Sequence, residues 1–125
     1  RILYDPRGAA EQMAQGVLYR EAAPEEIKMI ADEICKCPGP VRIQIMRDHT
    51  NLDWRDFIPH ITLPTLVMVA RKSAVFPWQG CAWAGEHIPG AKLVFFEKSG
   101  HMIYWEEAEK FNETVAEFVC GGKDK

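Results

Sequence analysis

The sequence is 125 residues long, the size of one domain and enough to bury a modest core, so two independent domains are not expected. Its 47% hydrophobic and 26% charged content exclude the disordered and fibrous classes. Fifteen Lys and Arg against eighteen Asp and Glu leave a net charge of −3, without the basic excess that nucleic-acid binding uses. No apolar run approaches the roughly eighteen residues of a membrane span, and no charged-then-apolar leader opens the chain. Neither nucleic acid nor a membrane is an expected partner, and a cytoplasmic location is expected.

In chain order, residues Gly8 to Arg20 read as a helix with Met13, Val17 and Leu18 on one stripe. The pattern predicts a second helix from Pro24. Proline suits a first turn, Glu25 and Glu26 favour the positive end of the helix dipole, and Ile27, Ile30, Ala31 and Ile34 share a face. Cys37-Pro38-Gly39-Pro40 ends it. Val41, Ile43 and Ile45 alternate as in a short strand, while Val41, Ile45 and Met46 equally form one helical stripe. Asp53 to Ile58 reads as a short helix closed by Pro59.

The period then changes. Leu63 to Ala70 is a nearly continuous apolar run of strand length, as expected for a parallel strand covered on both faces. Trp78 to His87 reads as a helix stopped by Ile88-Pro89-Gly90, Ala91 to Glu97 as a second strand, and Glu106 to Val119 as a last helix. Phe111, Val115, Phe118 and Val119 of that helix are expected to face inward. Strand, helix, strand, helix implies a parallel pair with a right-handed crossover. We therefore expect a helical segment over residues 1–60, an α/β segment over 61–120, and a solvated tail over 121–125. A two-stranded parallel sheet leaves backbone groups unpaired along its edges, so the sheet is expected to continue beyond these residues. A start at Arg1, on the approach to a helix, agrees with residues having preceded it.

The cysteines are Cys35, Cys37, Cys81 and Cys120. One C-x-C pair without a second pair or a His at finger spacing predicts packed or exposed thiols rather than a zinc site or disulfides. No metal and no cofactor is implied.

Leu63-Pro64-Thr65-Leu66-Val67, Ile88-Pro89-Gly90-Ala91-Lys92-Leu93-Val94, Ser99-Gly100-His101, Glu106 and Phe111 follow one another at telling spacings. This ordered set, within a stretch from about Asp53 to Val119, resembles the C-terminal part of an α/β-hydrolase. The resemblance implies a parallel βαβα unit preceded by a small helical cap, with Asn51 to Asp56 leading from cap to core. It implies that His101 is the catalytic histidine. Hydrolysis by an activated nucleophile needs a base of near-neutral pKa on a short loop just past a strand end, and Gly100 permits the sharp chain path there. A polar loop residue is the plainer alternative for His101. His49, His60 and His87 lack that context and are expected to be structural or solvated. Trp54, Phe76, Trp78, Trp83, Tyr104 and Trp105 are aromatic candidates for core or for an apolar substrate pocket under the cap.

Two departures from the family pattern matter. Where many members carry a Gly-x-x-Asp after the first of these strands, this chain has Ala70-Arg71-Lys72-Ser73, so Ser73 occupies the usual acid position. A serine accepts a hydrogen bond from imidazole but does not stabilise the imidazolium as a carboxylate does. The acid then comes from another strand end or the triad is incomplete. Asp48 is a nearby carboxylate in sequence, expected to be solvated or capping. Secondly, neither Ser73 nor Ser99 lies in the G-x-S-x-G elbow that acyl transfer in this family requires. The expectation is an esterase-like hydrolase lobe acting on a small-molecule substrate, which supplies the histidine but not the nucleophile and is inactive by itself. The alternatives are a non-catalytic binding or assembly module, including self-association through an open sheet edge, and a self-contained small α/β domain.

Overall fold

The computed structural model describes residues 1–121, and the expected tail lies outside the described residues apart from Gly121, which is exposed. The N-terminal half is three helices, α1 (Pro6–Gly16), α2 (Pro24–Cys35) and α3 (Gly39–Asn51). Proline opens each of them within its first two positions, where its missing N–H costs no helical hydrogen bond. The Asp5 carboxylate caps α1 by accepting from Gly8 N at 2.9 Å. Ala23 N donates to Glu26 Oε2 at 2.9 Å at the start of α2. Glu26 also receives Arg20 through both guanidinium nitrogens, at 2.6 and 2.7 Å, and Trp105 Nε1 at 2.9 Å. The Arg20 guanidinium, with the Ala23 and Trp105 donors, holds the Glu26 carboxyl well below the usual carboxylate range.

Two expectations are corrected in this half and one open choice is resolved. The first helix starts at Pro6 and ends at Gly16 rather than running to Arg20. Beyond Gly16 the backbone bonds elsewhere: Val17 O accepts from Met102 N at 3.3 Å, and Tyr19 N donates to Glu106 Oε1 at 2.8 Å. Residues 41–45, open between strand and helix, lie inside α3. Asp53 to Ile58 is not an α-helix. Asp53 Oδ1 accepts from Arg55 N at 3.0 Å in a local turn, and a 3-10 turn follows at Ile58–His60 with Pro59 inside it. Six residues flanked by such a turn and a proline are too few to repay helix nucleation.

The C-terminal half is β1 (Leu66–Ala70), α4 (Trp78–His87), β2 (Lys92–Phe96), α5 (Ile103–Glu106) and α6 (Ala108–Cys120). The strands pair in parallel, Leu66 opposite Lys92 through Ala70 opposite Phe96. They are shorter than their apolar runs because pairing begins at Thr65, whose carbonyl accepts from Lys92 N at 2.9 Å, just past Pro64, which has no N–H to give. Alternation sends Val67, Val69, Leu93 and Phe95 to the α4 side, where the Trp78 and Phe95 rings meet edge-on at 6.4 Å. On the other side Lys110 of α6 reaches the Phe95 carbonyl and lies 4.6 Å from the Phe96 ring centroid. Val69 and Phe96 are fully buried at the centre. Val119, expected to face inward, is 61% exposed, whereas Thr114 is buried in its stead. The inward stripe of α6 is therefore Phe111, Thr114, Val115 and Phe118, at the i, i+3, i+4, i+7 spacing of one helical face.

A second cluster joins the two halves. Ala14, Val17, Leu18, Ala22 and Ile30 pack around Met102, which follows His101. Two adjacent carboxylates clamp the intervening loop. Glu106 Oε2 accepts from Gly100 N at 2.6 Å while its Oε1 accepts from Tyr19 N and Arg20 N at 2.8 and 3.2 Å. Glu107 Oε2 accepts from Ser99 Oγ at 2.5 Å and from Lys98 N at 3.1 Å. The expected single C-terminal helix is broken at Glu107, whose backbone lies at φ −126°, ψ 53°. At Gly100 the chains touch backbone to backbone: a Cβ there would stand 2.7 Å from Tyr19 N and 2.9 Å from Val17 O. Backbone atoms this close cannot yield as a side-chain tip can.

Gly100→Ala is accordingly expected to lower stability by about 1–3 kcal/mol in urea denaturation, as overpacking does. Glu106→Ala, which strips the acceptor from three backbone N–H groups, is expected to cost about 1–3 kcal/mol, while Glu109→Ala on the exposed face of α6 changes stability by no more than about 0.5 kcal/mol. Equal effects at Glu106 and Glu109 would refute the clamp.

Candidate active site

His101 stands on the turn that follows β2, held from behind by the Ser99 and Gly100 anchors and from the front by Met102 in the inter-helical core. Its imidazole lies at the junction of two cavities. One, of about 160 Å³, opens at the C-terminal end of β1 and is lined by Met68, Ala70, Ser73, Phe76 and Trp78 as well as His101. The other, of about 420 Å³, lies between the helical half and α5, walled by Val17, Met29, Ile30, Ile34, Met102 and Tyr104 with His101 at its edge. The Phe76 ring covers one side of the imidazole, the centroids 5.5 Å apart at 57°. Phe76 also meets His49, at the end of α3, edge-on at 5.7 Å. Partial burial pushes the His101 imidazole below the usual histidine range even though the residue as a whole stays exposed. A neutral imidazole is the form that can accept a proton.

Ser73 is brought to the same cavity as His101. Its Oγ accepts from Val75 N and Phe76 N, both at 3.3 Å, and so shapes the turn that carries Phe76 onto the imidazole. Arg71, two residues earlier, has its guanidinium 4.0 Å from the Trp78 centroid and 4.1 Å from that of Phe95, and pairs with Glu97 at 3.4 Å. Among the described residues no carboxylate hydrogen-bonds the His101 ring, and desolvation alone moves its pKa. Asp48 accepts from Gln44 Nε2 at 2.9 Å on the exposed surface of α3. The remaining histidines are engaged elsewhere or exposed. His87 Nδ1 meets the Trp83 carbonyl at 2.7 Å and its ring stacks on Trp83 at 3.9 Å, and His60 is exposed in the 3-10 turn.

The six candidate aromatics divide. Phe76, Trp78 and Tyr104 line the cavities beside His101. Trp105 is tied to Glu26, Trp83 to His87, and Trp54 meets Phe57 edge-on at 5.9 Å, 53% exposed. Glu107 went unnoticed in the sequence because a surface-type residue at a helix start carries no periodic signal. Only its adjacency to Glu106, six residues past the Ser99-Gly100 pair, hints at the clamp. Cys35 and Cys37 lie at the end of α2, exposed and half-buried, and no helix among the described residues is long and apolar enough to cross a membrane.

The family profile for the α/β hydrolase fold matches residues 40–108, more than half the chain and inclusive of Ser73 and His101. The chain is 30% identical over 112 residues to a proline iminopeptidase of Saccharolobus solfataricus, covering 85% of this chain and 36% of that protein. It is 27% identical over 106 residues to a pimeloyl-[acyl-carrier protein] methyl ester esterase of Neisseria meningitidis, covering 84% of this chain and 41% of that one. Among solved structures, an esterase from Exiguobacterium antarcticum superposes with a TM-score of 0.86 at 28% identity over 92% of this chain and 43% of its own. The chain thus spans little more than a third of the length of the curated relatives it matches. A parallel βαβα unit behind three helices, matched by the family profile over its greater part and by hydrolases in sequence and shape, is part of a hydrolase fold, and the chain belongs to the α/β-hydrolase family.

Proposed function

We propose that these residues are the helical cap and C-terminal lobe of an esterase-like hydrolase of small molecules, with His101 as its general base. The observation that carries this is the place of the imidazole: just past the end of β2, neutral through partial burial, and at the mouth of two apolar-walled cavities. In the reaction His101 takes the proton of an attacking nucleophile, gives it to the departing alcohol, and, neutral again, takes one from the water that cleaves the acyl intermediate and returns it to the released nucleophile. The nucleophile elbow and the oxyanion donors belong to hydrolase-fold segments not contained in these 125 residues, which hold no G-x-S-x-G. The apolar cavity walls suit the acyl or alcohol group of an ester.

A second reading is a binding or assembly module that keeps the framework without turnover. Ser73 at the acid position, with no carboxylate on His101 among the described residues, favours it, as does the edge of β1 that pairs with no described strand. Such a module would self-associate through that edge, so sedimentation would show a concentration-dependent dimer.

The 125-residue chain alone is expected to leave p-nitrophenyl acetate at its background rate. In a polypeptide where these residues complete a hydrolase fold, His101→Ala is expected to lower kcat by about 10³-fold or more. An unchanged kcat would sink the assignment and leave the module. Because the base must be neutral, kcat/KM is expected to rise with pH through a midpoint below the ordinary histidine value of about 6.5. The same shift gives the sign for stability. Between the folded and unfolded pKa values the unfolded chain binds more protons, so acidification through about 6.5 and below weakens the fold. Proton NMR titration of His101 against its alanine variant reads the midpoint directly, and a value at or above 6.5 would contradict the burial argument.

A further inference from the structure

Away from His101, a cavity of about 190 Å³ lies where α1, α2 and α3 meet, walled by Ile2, Ala9, Met13, Ile34, Ile45 and Met46. The one charged lining residue is Arg42 of α3. Its Nε is buried without a hydrogen-bond partner, and among the described residues no carboxylate pairs with its guanidinium. Of the other arginines in the first three helices and their approach, Arg1 is engaged with Asp5 and Gln12, Arg7 with Glu11 and Asp32, and Arg20 with Glu26, while Arg47 is exposed. A buried donor left unsatisfied costs about 1–3 kcal/mol, so a half-buried guanidinium facing aliphatic walls calls for an acceptor. A water molecule would satisfy Nε yet leave the positive charge without a counterion and the apolar walls wet. An anion on an aliphatic stem answers both.

We propose that this cleft is a binding site for an aliphatic monocarboxylate, its chain between Met13, Ile34 and Ile45 and its carboxylate on Arg42. A carboxylate matches the planar guanidinium fork and carries the single charge that one arginine balances, whereas a phosphate monoester brings about −1.5 to −2 with no second cation on the wall. Met13 and Ile34 also wall the larger cavity that His101 borders, so a ligand in this cleft touches the same two side chains as a substrate at His101. The site stands on Arg42 and its walls and does not depend on the hydrolytic reading.

The test uses the full 125-residue chain, titrated with hexanoate, hexan-1-ol and hexylammonium and followed by two-dimensional NMR of its methyl groups. Hexanoate is expected to bind saturably, shift the Met13, Ile34 and Ile45 signals, and bind at least about tenfold tighter than hexanol, with hexylammonium weaker still. Arg42→Gln is expected to remove that tenfold preference, while Arg47→Gln, an exposed arginine on the same helix, leaves it in place. Should Arg42→Gln fail to fold, the preference of the unaltered chain for hexanoate over hexanol decides alone. Equal binding of acid and alcohol, absence of saturation, or equal losses in the two arginine variants would overturn the proposal.

Discussion

The arrangement rests on a contact between two pieces of backbone. Gly100 lies so close to Val17, Leu18 and Tyr19 that no side chain fits between them, and Glu106 spans the seam by accepting N–H groups from both sides. These are charge-assisted bonds to donors that the irregular chain after α1 and a tight loop would otherwise leave unpaired. Glu107 does the same for Lys98 and Ser99 one residue on. The seam is what makes the helical half and the α/β half one body, and it is also what aims His101. The next residue, Met102, goes into the core cluster of the helical half, so the imidazole is left at the surface between the two halves, where both cavities open.

The sheet is a weaker source of cohesion. It is two strands of five residues, with α4 on one face and α6 on the other. Gly85 lets α4 settle close to Leu93 and Val67, a Cβ there standing 2.6 Å from Leu93 Cδ1. Around this unit many large apolar side chains remain in water, among them Leu63 at 73% and Phe57 at 60% exposure. Exposed apolar surface in such amounts is of the kind that interaction faces carry. The chain spans about a third of the length of its curated relatives.

At the site, chemistry and packing are divided among different residues. The His101 imidazole packs against the Phe76 ring, and partial burial pushes its pKa below the usual histidine range. Ser73 contributes through the shape of the turn that presents Phe76, its oxygen engaged by two backbone donors. Arg71, between Trp78 and Phe95, fixes the start of that same turn to the end of the sheet.

Much was legible in the residues alone. Periodicity placed α2, α4, both strands and most of α6, because apolar faces repeat at 3.6 or run continuously through a covered strand. The ordered turns around Ile88-Pro89-Gly90 and Ser99-Gly100-His101 pointed to the family and singled out His101. Other features depended on partners distant in the chain, which local pattern does not encode. The end of α1 at Gly16, the break at Glu107 and the exposure of Val119 each follow from which surface lies opposite. The open choice at residues 41–45 is helix in the structure, although no residue of α3 is buried. Local sequence thus determined most of the elements and the family resemblance, since dihedral preference and apolar period are properties of neighbouring residues. Tertiary structure alone decided where the imidazole points, what shields it and which arginine keeps a buried nitrogen without a hydrogen-bond partner, since those depend on side chains brought together from distant parts of the chain.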